Sequence, residues 1–312
     1  MGTTTMYDLG PDGLCYITVP PGFDPDAANI PMILYCHGSG GAPNQWATLS
    51  AWAAMRAWCD ANGWIVVEGT GGGNNPPAND NGFSWGNASG YTGWLACLDK
   101  AEDLYDIGAR VLLGRSMGGL GSAYMFTQSD RAADFDGWIN NSGVSTMLYG
   151  TTGGSGSMTM QKFGANVYPA FGYSYDDGVS GSSQPNYTAV RNAILAADIA
   201  PDLWASSVWA GKKILACYGD ADTTVPWITN GGGAMLSTWL DGGAEVTLAL
   251  TPGGTHAAPG SYGSPEAVAA MTTFLSQFAG DPPEPTVKTY TRVKARFIKL
   301  SDGIHRVHTV PV

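Results

Sequence analysis

The chain has 312 residues, is 44% hydrophobic and carries a formal net charge of −11. That length accommodates one large α/β domain and an appendage. No run of 18 or more apolar residues offers a membrane span, and no nucleic-acid partner is expected. Glycine is about one residue in seven, twice the usual share, and charged residues at 13% are half of it. A loop-rich molecule follows, its surface polar mainly through Ser, Thr, Asn and Gly.

Residues 1–7 have neither a basic start nor an apolar stretch, so no signal peptide is expected and synthesis is placed in the cytoplasm. Cys15, Cys36, Cys59, Cys97 and Cys217 lie mostly inside apolar segments. An odd number at such positions points to free thiols and a reducing site of synthesis, with room for one disulfide. None has the paired spacing of a zinc site, and with only four histidines no metal is expected.

In chain order, 15–19 reads as an early strand, and 32–36 as a strand running into His37-Gly38-Ser39-Gly40-Gly41. Residues 45–61 form an amphipathic helix stopped by Asn62-Gly63, and 64–68 the next strand. Residues 92–105 are helical, with Asp99, Glu102, Asp103 and Asp106 expected as a solvated face. The apolar run 110–113 then breaks into Gly114-Arg115-Ser116-Met117-Gly118, and 120–128 can be helical. A strand–turn–helix around Gly-x-Ser-x-Gly is the setting of a nucleophile elbow. The turn is so tight that its serine is strained and the positions two residues away must be nearly free of side chain.

Residues 138–140 make a short strand, followed by a Gly-, Ser-, Thr- and Tyr-rich stretch, 143–186, with little periodicity. Long irregular stretches inside a compact domain are usually functional, and this one is expected to be an insertion or lid. Helices at 187–197 and 228–240, strands at 213–218 and 246–250, and a helix at 265–279 complete the domain.

A serine nucleophile needs a base, and the base an orienting acid. His37 precedes the serine, and His305 and His308 fall in a segment of different character, which leaves His256 on the Gly-rich loop after 246–250. Two aspartates compete for the acid, Asp220 and Asp222, in the loop after strand 213–218. Spacing favours Asp222, with Asp220 as a turn-capping residue.

Three segments together resemble the α/β-hydrolase superfamily of serine esterases: the elbow around Ser116, His37-Gly38-Ser39-Gly40-Gly41 and Gly219-x-x-Asp222-x-x-Val225-Pro226. Histidine usually precedes the glycine of the last motif, and here Tyr218 does. The resemblance implies a mostly parallel sheet with helices on both faces. It also implies a catalytic Ser116, Asp222 and His256, in that chain order. An oxyanion hole would be formed by the Met117 N–H and the Gly38, Ser39 and Gly40 loop, with His37 orienting that loop. The implied activity is carboxylic ester hydrolysis through an acyl-enzyme, with no cofactor. A peptidase or acyltransferase can share such a triad, and a catalytically inactive binding module can share the fold.

Of eleven tryptophans, Trp52, Trp58, Trp64 and Trp138 are assigned to the core. Trp46, Trp85 and Trp227, beside the oxyanion loop, in a loop after a strand end and beside the acid loop, are the candidates for stacking on substrate.

The chain changes character at 281–285, where Pro282, Pro283 and Pro285 make a stiff linker after a domain spanning 1–280. Residues 286–312 alternate as β-strand, with Ser301-Asp302-Gly303 as a hairpin turn. Residues 281–312 carry six Lys/Arg against three Asp/Glu, reversing the acidity of the preceding domain. A lone hairpin is barely stable, so this segment must pair with the preceding domain, a copy of itself or a larger assembly, and it is expected to mediate assembly. The proline joint, the short basic β segment ending Val310-Pro311-Val312 and the low charge resemble tail-associated proteins of phages that infect actinobacteria. That resemblance implies a place on a virion tail and action on the host envelope.

Overall fold

The computed structural model describes residues 2–41, 43–71, 85–148, 163–179, 181–257 and 263–278, with the backbone of 294–299 and 305–310. By contact the chain divides into two compact units, Met1–Ala279 and Gly280–Val312.

The first unit alternates strand and helix. Its strands are β1 (Thr3–Asp8), β2 (Leu14–Val19), β3 (Ile30–Cys36), β4 (Ile65–Gly69), β5 (Ile107–Arg115), β6 (Gly137–Asn141), β7 (Lys213–Gly219) and β8 (Glu245–Thr251). Its α-helices among the described residues are α1 (Gln45–Thr48), α2 (Ala53–Asn62), α3 (Ala88–Leu104), α4 (Gly118–Thr127), α5 (Gly164–Ala170), α6 (Tyr187–Ala196), α7 (Gly232–Asp241) and α8 (Pro265–Leu275). The strands form one sheet in the order β1-β2-β4-β3-β5-β6-β7-β8. Pairing is antiparallel at β1/β2 and β2/β4 and parallel from β4 to β8. This is an α/β-hydrolase fold.

Both faces of the sheet are covered, which is why the central strands read as continuous apolar runs. Along β3, Met32, Leu34 and Cys36 enter one core with Leu112, Leu120, Phe126 and Trp138, while Ile33 and Tyr35 enter the other with Met55, Met271 and Phe274. The period of two in the strand thus distributes side chains between two helical layers. All five cysteines are free and buried. Among the described residues, no helix is long and apolar enough to cross a membrane.

Several sequence expectations are corrected. β1 lacks an apolar alternation because its residues are almost all exposed, and pairing with β2 makes it a strand. The single helix expected over 45–61 is broken at Leu49, which is extended (ψ 127°). Arg56 holds the break by donating from Nη1 to the Trp46 and Leu49 carbonyls, at 2.5 and 2.8 Å. The helix expected from 228 starts at Gly232, because Asn230 and Gly231 N–H groups turn back to the Pro226 carbonyl. The last helix stops at Leu275. Within 143–186, α5 is regular structure that the sequence pattern did not reveal, and residues 149–162 lie outside the described residues.

In the second unit, β9 (Lys294–Lys299) and β10 (His305–Val310) pair antiparallel, with Lys299 opposite His305. The expected linker at 281–285 and turn at 301–303 lie outside the described residues.

Candidate active site

Parallel strands carry their carboxyl ends to one edge of the sheet, where the connecting loops converge. β5 ends there at Arg115, α4 begins at Gly118, and Ser116 occupies the turn between them with φ +52°. That left-handed conformation is strained for a residue with a Cβ. The flanking glycines are required by contact. A Cβ on Gly114 would lie 2.0 Å from Ser122 Oγ, and one on Gly118 would lie 2.1 Å from the Cys36 carbonyl oxygen.

The loop after β6 braces the turn. Ser116 N–H donates to the Asn141 carbonyl at 3.4 Å, and the Ser116 carbonyl accepts from Gly119 and Val144 N–H at 3.0 and 2.8 Å. Ser142, inside this loop, is itself at φ +46°. Nothing in the sequence flags Asn141, Ser142 or Val144, since they act through backbone atoms.

His256 Nε2 lies 3.0 Å from Ser116 Oγ, and its Nδ1 lies 2.7 Å from Asp222 Oδ2. The Asp222 side chain is fully buried, and its other oxygen accepts from Thr224 and Val225 N–H at 2.8 and 2.9 Å. A carboxylate held this way fixes the imidazole tautomer with Nδ1–H toward the acid and Nε2 free to accept the serine proton. Asp220 is exposed and accepts from Gly253 N–H at 2.6 Å, so it braces the histidine loop from outside. Of the two competing aspartates, the fold brings Asp222 to the histidine.

The loop after β3 passes beside the serine: a Cβ on Gly38 would touch Ser116 Cβ at 3.0 Å. Gly41 N–H closes this turn on the Gly38 carbonyl at 3.0 Å, with Gly40 at φ +69°. The N–H groups of Gly38, Ser39, Gly40 and Met117 donate to no acceptor among the described residues. Met117 directly precedes α4, whose amino end adds partial positive charge. His37 is fully buried, with Nδ1 2.8 Å from the Gly38 carbonyl and Nε2 3.0 Å from that of Thr70. Burial, helped by the Arg115 charge, lowers its pKa against those two backbone contacts. It braces the loop from beneath through these two carbonyls and stands outside the line from Asp222 to Ser116.

The three tryptophans expected at the substrate are placed differently. Trp46 is buried, stacked on Trp52 at 5.3 Å, with its backbone N–H held by Glu68 Oε2 at 2.9 Å. Trp85 is buried against Phe163 at 5.0 Å. Trp46 lies in one core and Trp85 in the other, each almost fully enclosed, so neither presents a face for stacking. Trp227 is half-buried and packs on Tyr218, the residue at the departure from the motif, at 4.8 Å. Among the described residues, no cluster of three or more His, Cys, Asp or Glu is arranged to hold a metal ion.

No family model and no curated protein matches the chain. Solved structures do. Est1E from Butyrivibrio proteoclasticus aligns over 89% of this chain and 97% of its own at 15% identity, with a TM-score of 0.52. Thermogutta terrifontis esterase 2, solved phosphonylated by sarin, aligns over 88% and 92% at 13% identity, with a TM-score of 0.56. The acylaminoacyl peptidase of Pyrococcus horikoshii aligns over 92% of this chain at 16% identity and a TM-score of 0.60, and the aligned part spans 43% of that chain. Esterases and a peptidase therefore share this fold.

Proposed function

We propose that the chain is a serine carboxylesterase working through an acyl-enzyme. The observation that carries this reading is the continuous hydrogen-bonded line from Asp222 through His256 to Ser116, beside N–H groups of Met117 and the Gly38–Gly40 loop that have no acceptor among the described residues. His256 takes the Ser116 proton as Oγ attacks the ester carbonyl, and the resulting oxyanion is received by those N–H groups. His256 then protonates the leaving alcohol, and water repeats the sequence to release the acid. Asp222 stabilises the imidazolium and does not itself take the proton.

Alignment over nearly the whole length of two esterases favours ester over peptide hydrolysis. Est1E has been solved with ferulic acid bound, which makes aromatic acyl esters one class to test beside acyl esters of cell envelopes and polysaccharides. Trp227 is the remaining aromatic candidate for substrate contact. Residues 286–312 are proposed to serve assembly, as copies of this chain or on a virion tail; the antiparallel pair β9/β10 supports this, because a two-stranded unit has edges to satisfy elsewhere.

The test is a panel of short- and long-chain p-nitrophenyl esters, feruloyl esters, peptide anilides and actinobacterial cell-wall fractions, with a fluorophosphonate probe mapped to its residue. Ester turnover and labelling at Ser116, both lost in Ser116→Ala, are expected. Faster turnover of the anilides would make the protein a peptidase. A folded protein with neither turnover nor labelling would be a binding module.

A further inference from the structure

We propose that Tyr218 is a positioning residue for the nucleophile, its phenol locking the loop after β6 against the backbone of Ser116. This inference rests on the hydrolase reading above and adds a residue to its machinery.

Tyr218 is the penultimate residue of β7, fully buried, four positions before the acid. Its O–H donates to the Gly143 carbonyl at 2.5 Å and lies 3.3 Å from Ser145 Oγ. Ser145 Oγ also accepts from Asn140 Nδ2 at 2.6 Å. The phenol thus joins the end of β7 to both sides of the loop turn at 142–145. Ser142 N–H adds a backbone bond to the Cys217 carbonyl at 2.7 Å. The residues on either side of the pinned Gly143 carbonyl belong to the same turn that holds the serine: Asn141 accepts from Ser116 N–H, and Val144 donates to the Ser116 carbonyl.

Two non-glycine residues at positive φ, Ser116 and Ser142, sit in these two turns, which Asn141 and Val144 join by backbone bonds to Ser116. Such conformations persist only where surrounding bonds over-determine them. The Tyr218 ring is itself confined, against Trp227 on one side and so close to Gly231 that a Cβ there would lie 2.5 Å from its Cε1. Burial drives the phenol pKa upward, so it stays a protonated donor through the working pH range. Without the O–H, the buried Gly143 carbonyl keeps only the longer bond from Ser145 Oγ at 3.4 Å, and the loop is freer to relax. Ser116 Oγ then leaves the 3.0 Å line to His256, a displacement to which attack is far more sensitive than binding.

Tyr218→Phe keeps the ring and removes only the hydroxyl. With an ester that the wild type turns over, we expect kcat to fall at least ten-fold with KM within about a factor of two, and the fluorophosphonate labelling rate at Ser116 to fall in parallel. A smaller loss in kcat, again without change in KM, is expected of Ser145→Ala, which carries the test alone if the phenylalanine variant does not fold. A folded Tyr218→Phe protein with wild-type kcat and labelling rate overturns the inference, leaving the hydroxyl a fold-stabilising bond only. For Ser145→Ala alone, unchanged kcat does the same. Failure of the underlying hydrolase reading is seen separately, as a wild type that is neither active nor labelled, and it removes this inference too.

Discussion

Asp220 and Asp222 stand two residues apart and do different work: Asp220 Oδ1 takes the Gly253 N–H at 2.6 Å, while Asp222 Oδ2 takes His256 Nδ1 at 2.7 Å. Replacing Asp222 by Asn should leave the histidine in the wrong tautomer and lower kcat by roughly 10³–10⁴. Asp220→Ala removes an exposed brace from the loop two residues ahead of Thr255, and a loss of only a few-fold is expected. Steady-state kinetics of both variants on one soluble ester decide between them. Equal losses would mean that the two carboxylates share the role.

Strain at Ser116 predicts a trade between stability and activity. Glycine adopts φ +52° freely, so Ser116→Gly should raise stability by about 1 kcal/mol, whereas Ser116→Ala should not. Both variants should lose turnover by several orders of magnitude. Denaturant titrations of the three proteins measure the difference, and a Gly variant no more stable than the Ala variant would mean that the turn carries no strain.

Glu68 is buried on β4, and its acid is pushed up to about 8. Burial is the main cause, opposed by the Trp46, Ala47 and Gln45 N–H groups and by Arg56. An unfolded chain releases this proton near pH 4.3. Between there and about pH 8 the folded state therefore binds more protons, and the stability from this group, full at low pH, is lost as pH rises through the folded value. The loss is on the order of a few kcal/mol. Unfolding free energies at pH 5 and pH 8 should converge in Glu68→Gln relative to wild type. Identical slopes in the two proteins would place the ionised form in the fold at neutral pH.

Residues 1–279 form a compact unit with every residue of the Ser116–His256–Asp222 line inside it. A protein ending at residue 280 should keep its kcat on a soluble ester and lose any self-association seen by light scattering. Loss of turnover in a folded truncation would place the second unit in the reaction.

Much of this was legible in the residues. A strand running into Gly-x-Ser-x-Gly is a local pattern, since the strained turn demands glycines at fixed offsets and the strand demands apolar residues before it. His256 followed by elimination among four histidines. The alternation of strands and helices followed from periodicity, which each element carries within itself.

What the residues left open depends on contacts between distant segments. Asp220 and Asp222 have the same chemistry, and only the position of the Gly253–His256 loop, set by β8 lying beside β7, separates them. The break at Leu49 needs Arg56 and Glu68 to hold its ends. Trp46 and Trp85 have the composition of a binding surface, and only the packed layers show that both are buried. Tyr218 reaches Gly143 across 75 residues of sequence, and Ser116 meets His256 across 140. Periodicity encodes which face of an element is apolar; sheet order decides which loop ends meet at its carboxyl edge, and there the chemistry is assembled.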